Sequence, residues 1–230
     1  MAPSFGVILH VSDFHGREDW YAWLTRVACR YELVCVTGDL IGEERHTGPL
    51  SQRSGIVRFL RSCPTSVLIC SGNHDAVLET DWTKTLRNAG AHVDVDSFAY
   101  LGVTFRCRGW GSHIPARRTD REIWLAHAPP SGTETSVTID GTDFGDLDLE
   151  DACRSGHGPQ IILSGHVHDA RHWNDRIRGT VILNPGHASG SAVPSHIELD
   201  LGRRIARYHS PNSDDVVRLP RIDREKPADA

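Results

Sequence analysis

The chain has 230 residues and a mass of 25.5 kDa, with 39% apolar and 24% charged side chains. That balance excludes a disordered, collagen-like or coiled-coil chain and suits one large α/β unit. Twenty-five Lys and Arg against 30 Asp and Glu leave a net charge of −5, which argues against a protein that coats polyanions, since those carry a basic excess.

Val7 to Val11 reads as a short β-branched strand, followed by the polar stretch Ser12-Asp13-Phe14-His15-Gly16. Asp19 to Cys29 sets Trp20, Trp23, Leu24 and Val27 at helical spacing, a stripe expected to face a core. Leu33 to Val36 reads as a second strand and ends in Thr37-Gly38-Asp39. A loop from Ile41 to Gly48 precedes a helix around Ser51 to Ser62, which Pro64 stops. Val67 to Cys70 is a third strand, ending in Ser71-Gly72-Asn73-His74-Asp75. Strand–helix–strand repetition of this kind implies a parallel sheet with right-handed crossovers.

From about Val93 the pattern changes to short strands, Ser97 to Tyr100 and Val103 to Arg106, which suggest hairpins. Glu122 to Ala126 is a strand that ends at His127-Ala128-Pro129-Pro130. A polar loop, Ser131 to Gly145, leads to a helix around Leu147 to Arg154. Ile161 to Leu163 is a strand ending in Ser164-Gly165-His166-Val167-His168, and Thr180 to Leu183 runs into Asn184-Pro185-Gly186. His196 to Leu201 and Arg203 to Tyr208 read as a closing hairpin. The expectation is one domain over 1–222 and a polar tail over 223–230.

Apolar runs such as Val7-Ile8-Leu9 fall far short of the roughly 20 residues a membrane span requires. The N-terminus shows neither a basic nor an apolar secretory region, so a soluble, cytoplasmic protein is expected. The six cysteines have no Cys-x-x-Cys spacing and read as reduced, mostly core thiols.

Five strands end in side chains competent to bind metal: Asp13/His15, Asp39, Asn73/His74/Asp75, His127 and His166/His168. Ligands of open α/β sheets gather outside the carboxyl ends of strands, so these loops are candidates to converge. Asp13-x-His15 and His166-x-His168 each put two ligands on a short loop, with Gly16 or Gly165 beside them to permit a tight turn. One carboxylate, Asp39, has two oxygens with which to bridge two cations. Mixed Asp, Asn and His donors suit Mn²⁺, Fe or Zn²⁺, with Mn²⁺ the first choice, and seven donors are too many for one ion and enough for two.

These five blocks, in this order, resemble the calcineurin-like metallophosphoesterase superfamily, and the resemblance spans Val7 to Pro185. His127-Ala128-Pro129-Pro130-Ser131-Gly132-Thr133 is similar to a stretch in one branch of small single-domain members. The resemblance implies an α/β fold of two packed mixed β-sheets flanked by helices, a four-layer sandwich. It implies that Asp13, His15, Asp39 and His168 hold one divalent ion. A second ion would be held by Asp39, Asn73, His127 and His166. It further implies in-line attack on phosphorus by a hydroxide between the ions, with His74 as the catalytic residue that protonates the leaving oxygen or steadies the transition state. Many members carry an acid three positions after the bridging Asp, where this chain has Gly42. Asp75, Glu43 or Glu44 are then the candidates to orient His74.

The remaining readings concern the rim. The locally basic stretch around Arg117 and Arg118 is either a solvated loop or a contact for substrate phosphate. Trp110 is expected to be packed in the core rather than to stack on a base. His113 and His187 follow strands and are expected near the cleft, whereas His10, His46, His92, His157, His172, His196 and His209 are expected at the surface or in the core. A small phosphate-ester substrate is expected, a diester before a monoester, with no membrane partner and no extended nucleic acid. The competing classes are a non-catalytic protein-binding scaffold on the same fold, and a nuclease or protein phosphatase.

Overall fold

A computed structural model of the chain describes residues 6–42, 49–76, 81–100, 102–113 and 121–222. Strands β1 (Val7–Val11), β2 (Leu33–Thr37) and β3 (Ser66–Cys70) pair in parallel, Leu9 opposite Val34 and Val34 opposite Val67. Their near-continuous apolar sequence follows from cover on both faces. Leu9, Val34 and Ile69 turn towards helices, while Ile8, Cys35 and Leu68 turn towards a second sheet. The two-residue β4 (His92–Val93) extends this sheet beyond β3. On the other flank β11 (His196–Asp200), β12 (Ile205–His209) and β13 (Asp214–Arg218) add an antiparallel meander, giving the order β13-β12-β11-β1-β2-β3-β4.

The second sheet contains β5 (Phe98–Tyr100), β6 (Val103–Arg108), β7 (Glu122–Ala126), β8 (Ile161–Leu163), β9 (Asn174–Ile177) and β10 (Thr180–Leu183), in the order β5-β6-β7-β8-β10-β9. Its four central strands are parallel and its edges antiparallel. Phe105, Leu125, Ile161 and Val181 meet the first sheet in a shared core. Complete burial of a side chain such as Phe105 contributes about 1.5–3 kcal/mol.

Helices α1 (Glu18–Val27), α2 (Pro49–Ser62) and, beyond the four-residue α3 (Asn73–Ala76), α4 (Asp81–Asn88) lie against the first sheet. In α1, Trp20, Trp23 and Leu24 form the buried stripe, with Glu18 and Asp19 in its first turn and Arg26 in its last, matching the helix dipole. Helix α5 (Leu147–Ser155) covers the second sheet through Leu149 and Cys153, packed on Trp124 and Ile182. Asp146 caps it by accepting from the Leu149 amide at 3.0 Å, and left-handed Gly156 ends it. The result is the expected order of helices, sheet, sheet, helix.

Several elements differ from the sequence reading. Helix α4 is anchored by only Trp82 and Leu86 in a polar octapeptide, and β13 is a polar edge strand, so neither carries a strong periodic signal. β4, β9 and the single-turn α3 are too short to carry a periodic signal. Of the hairpins expected after Val93, β5 and β6 form one, but β6 then runs parallel to β7. All six cysteines are free thiols, with Cys29 exposed, Cys63 half-buried and the other four buried. The tail over 223–230 lies outside the described residues.

Candidate metal centre

The five ligand-bearing loops follow β1, β2 and β3 of one sheet and β7 and β8 of the other. Parallel pairing brings their carboxyl ends to one edge of each sheet, and face-to-face packing sets the two edges side by side. The loops are then laced together. The amides of Asp13, His15 and Gly16 donate to the carbonyls of Gly38, Asp39 and Leu40 at 3.2, 2.9 and 2.8 Å. The His166 amide donates to the Asp13 carboxylate at 3.0 Å, the His74 amide to Asp39 Oδ1 at 2.9 Å, and the Gly165 amide to the His127 carbonyl at 2.8 Å.

Backbone strain gathers at the same place. Asp13, His15, Asp39 and His166 adopt φ of 55°, 46°, 50° and 67°, a region that disfavours side chains other than glycine's. Gly165 is needed for a reason other than the expected turn: a Cβ there would overlap Ser12 and Asp13. Gly72 likewise leaves room for the Asp39 carboxylate.

The donor atoms converge. Asp13 Oδ1 lies 3.5 Å from His168 Nε2 and 3.9 Å from His15 Nε2, and those two nitrogens are 3.0 Å apart. Asp39 Oδ2 lies 3.3 Å from His127 Nε2, 3.8 Å from His15 Nε2 and 3.9 Å from His74 Nε2. His127 Nε2 is 3.0 Å from Asn73 Oδ1, and the His166 ring stands 4.9 Å from that of His127. Among the described residues three donor groups result, Asp13/His15/His168, His15/Asp39/His74 and Asp13/Asp39/His127, each within 4.8 Å. Donors about 2.1 Å from one ion lie up to about 4.2 Å apart, so the set fits first-row cations with small adjustments. The two imidazole nitrogens at 3.0 Å share a proton, or both ligate one cation placed beside them about 2.1 Å from each.

The electrostatics favour positive charge. Burial alone would push the Asp13 carboxyl up, but His168 and His127 hold it well below its usual range. Asp39 is lowered against burial too, chiefly by His127. Burial opposes protonation of His127, yet Asp39 and Asp13 drive it up to about 9. His15 and His166 are lowered by burial, and His168 is raised against burial by Asp13. Two ionised carboxylates in a nearly dry cluster of imidazoles are stable only with positive partners, whether protons or metal ions. His127 Nδ1 bonds to the Thr37 carbonyl at 2.6 Å, which turns Nε2 towards Asp39 and Asn73.

Supporting residues complete the picture. His10 is fully buried beneath the loops, bonded to Thr37 Oγ1 at 2.9 Å, and burial pushes it down to about 3. Asn184 Nδ2 donates to the Val167 carbonyl at 3.0 Å, and the His187 amide donates to the His168 carbonyl at 3.0 Å. This places His187 near the cleft as expected, with its ring stacked 4.6 Å from that of His168. A cavity of about 590 Å³ opens beside them, bordered by Trp173, Tyr208 and Ser195.

Asp75, one of the three candidates to orient His74, has its carboxyl engaged by two backbone amides. Its buried carboxyl accepts the amides of Gly72 at 3.0 Å and Leu40 at 3.2 Å, tying two loops together, and burial pushes it up to about 7. Gly42 carries no acid for a steric reason, since a Cβ there would lie 2.5 Å from the His15 carbonyl oxygen. Trp110 is not in the core: it is 44% exposed, 5.7 Å from the ring of His127 and 5.3 Å from that of His166. Phe144, unremarked in the sequence, stands 6.4 Å from His166. Its one signal was an aromatic residue in a loop of Thr, Asp and Gly. Arg117, Arg118, Glu43, Glu44 and His46 lie outside the described residues.

A family model for calcineurin-like phosphoesterases matches residues 6–170. Among solved structures, an archaeal phosphodiesterase superposes with a TM-score of 0.54 at 15% identity, covering 93% of this chain and 99% of that one. A Thermus thermophilus protein gives 0.53 at 10% identity, covering 94% and 100%. A purple acid phosphatase from yellow lupin gives 0.55 at 13% identity, covering 94% of this chain and 53% of its own. At these identities the likeness speaks to the fold alone. No curated protein matches the sequence significantly.

Proposed function

Because the chain belongs to the calcineurin-like phosphoesterase family, we propose that it hydrolyses small phosphodiesters with the help of two divalent cations, Mn²⁺ first among them. The observation that carries this reading is the pair of buried carboxylates, Asp13 and Asp39, which share one donor group with His127 and each belong to a second group with His15. Asp13, His15, Asp39 and His168 would hold one ion, and Asp39, Asn73, His127 and His166 the other. Bound there, such ions supply Lewis acidity towards the phosphoryl oxygens and lower the pKa of a coordinated water.

The protein's own groups do the rest. Asp13 keeps its charge chiefly through His168 and His127, and Asp39 chiefly through His127, with the His74 amide adding to it. Thr37 and His10 hold His127 in orientation from below. The His74 side chain is 31% exposed at the cleft, where it can meet the departing oxygen and give it a proton. We read residues 1–222 as one working unit, since the ligands come from both sheets and neither makes the site alone. No helix among the described residues is long and apolar enough to cross a membrane, and we take the cytoplasm as the place of action.

The test is hydrolysis after chelation and reconstitution. Two Mn²⁺ per chain should bind, and bis(p-nitrophenyl) phosphate should be cleaved with a higher kcat/KM than p-nitrophenyl phosphate. Equal values on the two esters would remove the diester preference. No hydrolysis of any ester at metal saturation would sink the enzyme reading.

A further inference from the structure

Trp110 and Phe144 are 44% and 50% exposed, and both rings lie against the imidazole of His166, with centroids 5.3 and 6.4 Å away. They come from separate connections, one after β6 and one between β7 and α5. Neither stands on slack chain. The Trp110 amide donates to the Ser71 carbonyl at 3.0 Å, and the Ser112 amide closes a turn on Gly109 at 3.0 Å. The Phe144 amide donates to the Ser136 carbonyl at 3.0 Å. On either side of Phe144, the Asp143 carboxylate accepts the Ser131 hydroxyl and Gly132 amide at 2.7 Å and the Gly145 amide at 2.9 Å. A braced backbone that holds two large rings in water, beside a donor cluster, keeps open a surface that another ring would cover.

We propose that Trp110 and Phe144 form the subsite for a planar aromatic ring carried by the ester, the base of a small nucleotide. The inference rests on the phosphoesterase reading for the phosphate end of the ligand. His166 links the two ends: its ring stands 4.9 Å from that of His127 in the donor cluster on one side and packs against both rings on the other. The charge beside Phe144 favours a neutral group against that ring. Residues 131–151 hold Glu134, Asp140, Asp143, Asp146, Asp148, Glu150 and Asp151 and no Lys or Arg. Phe144 thus sits in an acidic run while Trp110 follows the basic Arg106 and Arg108, and a single nucleotide suits both, with its charge at the metal centre and its neutral base against the rings.

The experiment compares adenosine 5′-monophosphate with ribose 5-phosphate by calorimetry on the Mn²⁺-reconstituted protein. The two share their phosphate and differ in the base. Stacking on aromatic side chains should make the nucleotide bind about 5- to 150-fold more tightly. Trp110→Ala with Phe144→Ala should bring that ratio close to one, and Trp110→Phe, which keeps a ring, should retain part of it. Equal binding of the two ligands by the wild type, or an unchanged ratio in the double variant, overturns the proposal. Nucleotide binding without ribose 5-phosphate binding supports the aromatic subsite and counts against a phosphate-holding centre. A preserved ratio in a protein that hydrolyses no ester likewise keeps the subsite and removes only the phosphoesterase reading.

Discussion

Gly72→Ala tests the centre at its most crowded point. A Cβ built on Gly72 lies 2.5 Å from the Asp39 amide nitrogen and 2.9 Å from its Cγ, and it overlaps the carboxylate oxygen. Real Cβ atoms essentially never approach within 3.0 Å, so the Asp39 loop must retreat by about 0.5 Å or more. Overpacking of this kind costs about 1–3 kcal/mol, and in a domain of this size each kcal/mol lowers the melting temperature by about 2–4 °C. The effect on catalysis should be larger in proportion. Misplacing a reacting group by about 1 Å costs about 10²-fold, so we expect kcat/KM to fall about 10- to 100-fold in a protein that still folds. Metal content should fall with it, because the displaced carboxylate serves two donor groups. Gly55→Ala is the control: nothing lies within 4 Å of its Cβ, and alanine inside α2 should be neutral or gain up to about 1 kcal/mol. The assays are metal analysis, steady-state hydrolysis of bis(p-nitrophenyl) phosphate and a thermal melt. A Gly72→Ala protein with wild-type turnover and full metal content would refute the argument that the position of Asp39 governs the site.

Other outcomes follow from the same geometry. Asp39→Asn should lower occupancy of both ions together, and the loss of only one by metal analysis would contradict a shared ligand. His74→Asn should leave metal content unchanged while kcat falls about 10²- to 10⁴-fold on an alkyl ester and clearly less on an aryl ester, whose oxygen leaves without a proton. Equal losses would point to charge stabilisation instead, and loss of an ion would make His74 a ligand. Asp75→Ala strips the acceptor from the Gly72 and Leu40 amides. Urea denaturation should show about 1–3 kcal/mol lost for each orphaned amide, and a change below about 0.5 kcal/mol would remove its tethering role.

The alternation of strands and helices, and the metal-competent residues at five strand ends, were legible in the sequence because both are local signals. A strand covered on both faces reads as an apolar run, and Val7–Val11, Glu122–Ala126 and Ile161–Leu163 occupy the residues expected. The spacing of Asp13 and His15, or of His166 and His168, also survives intact from sequence to loop. Elements with few apolar anchors left no such trace, which is why α4 and β13 appeared only in three dimensions.

What tertiary structure alone decided is which side chains share a point in space. Asp13 and His168 stand 155 residues apart in the chain, yet their donor atoms meet at 3.5 Å because two parallel sheet edges pack side by side. Pairwise distance also decided the partners of Asp75, whose carboxyl is taken up by the amides of two loops. The fate of Trp110 depended on packing too. Its apolar ring is expected in the core, but the turn that ties its backbone to Ser71, beside His166, leaves the ring in water. Local sequence carries the chemistry of each loop. The distance between loops depends on how buried faces far from the site fit together, and no single stretch of the chain contains that information.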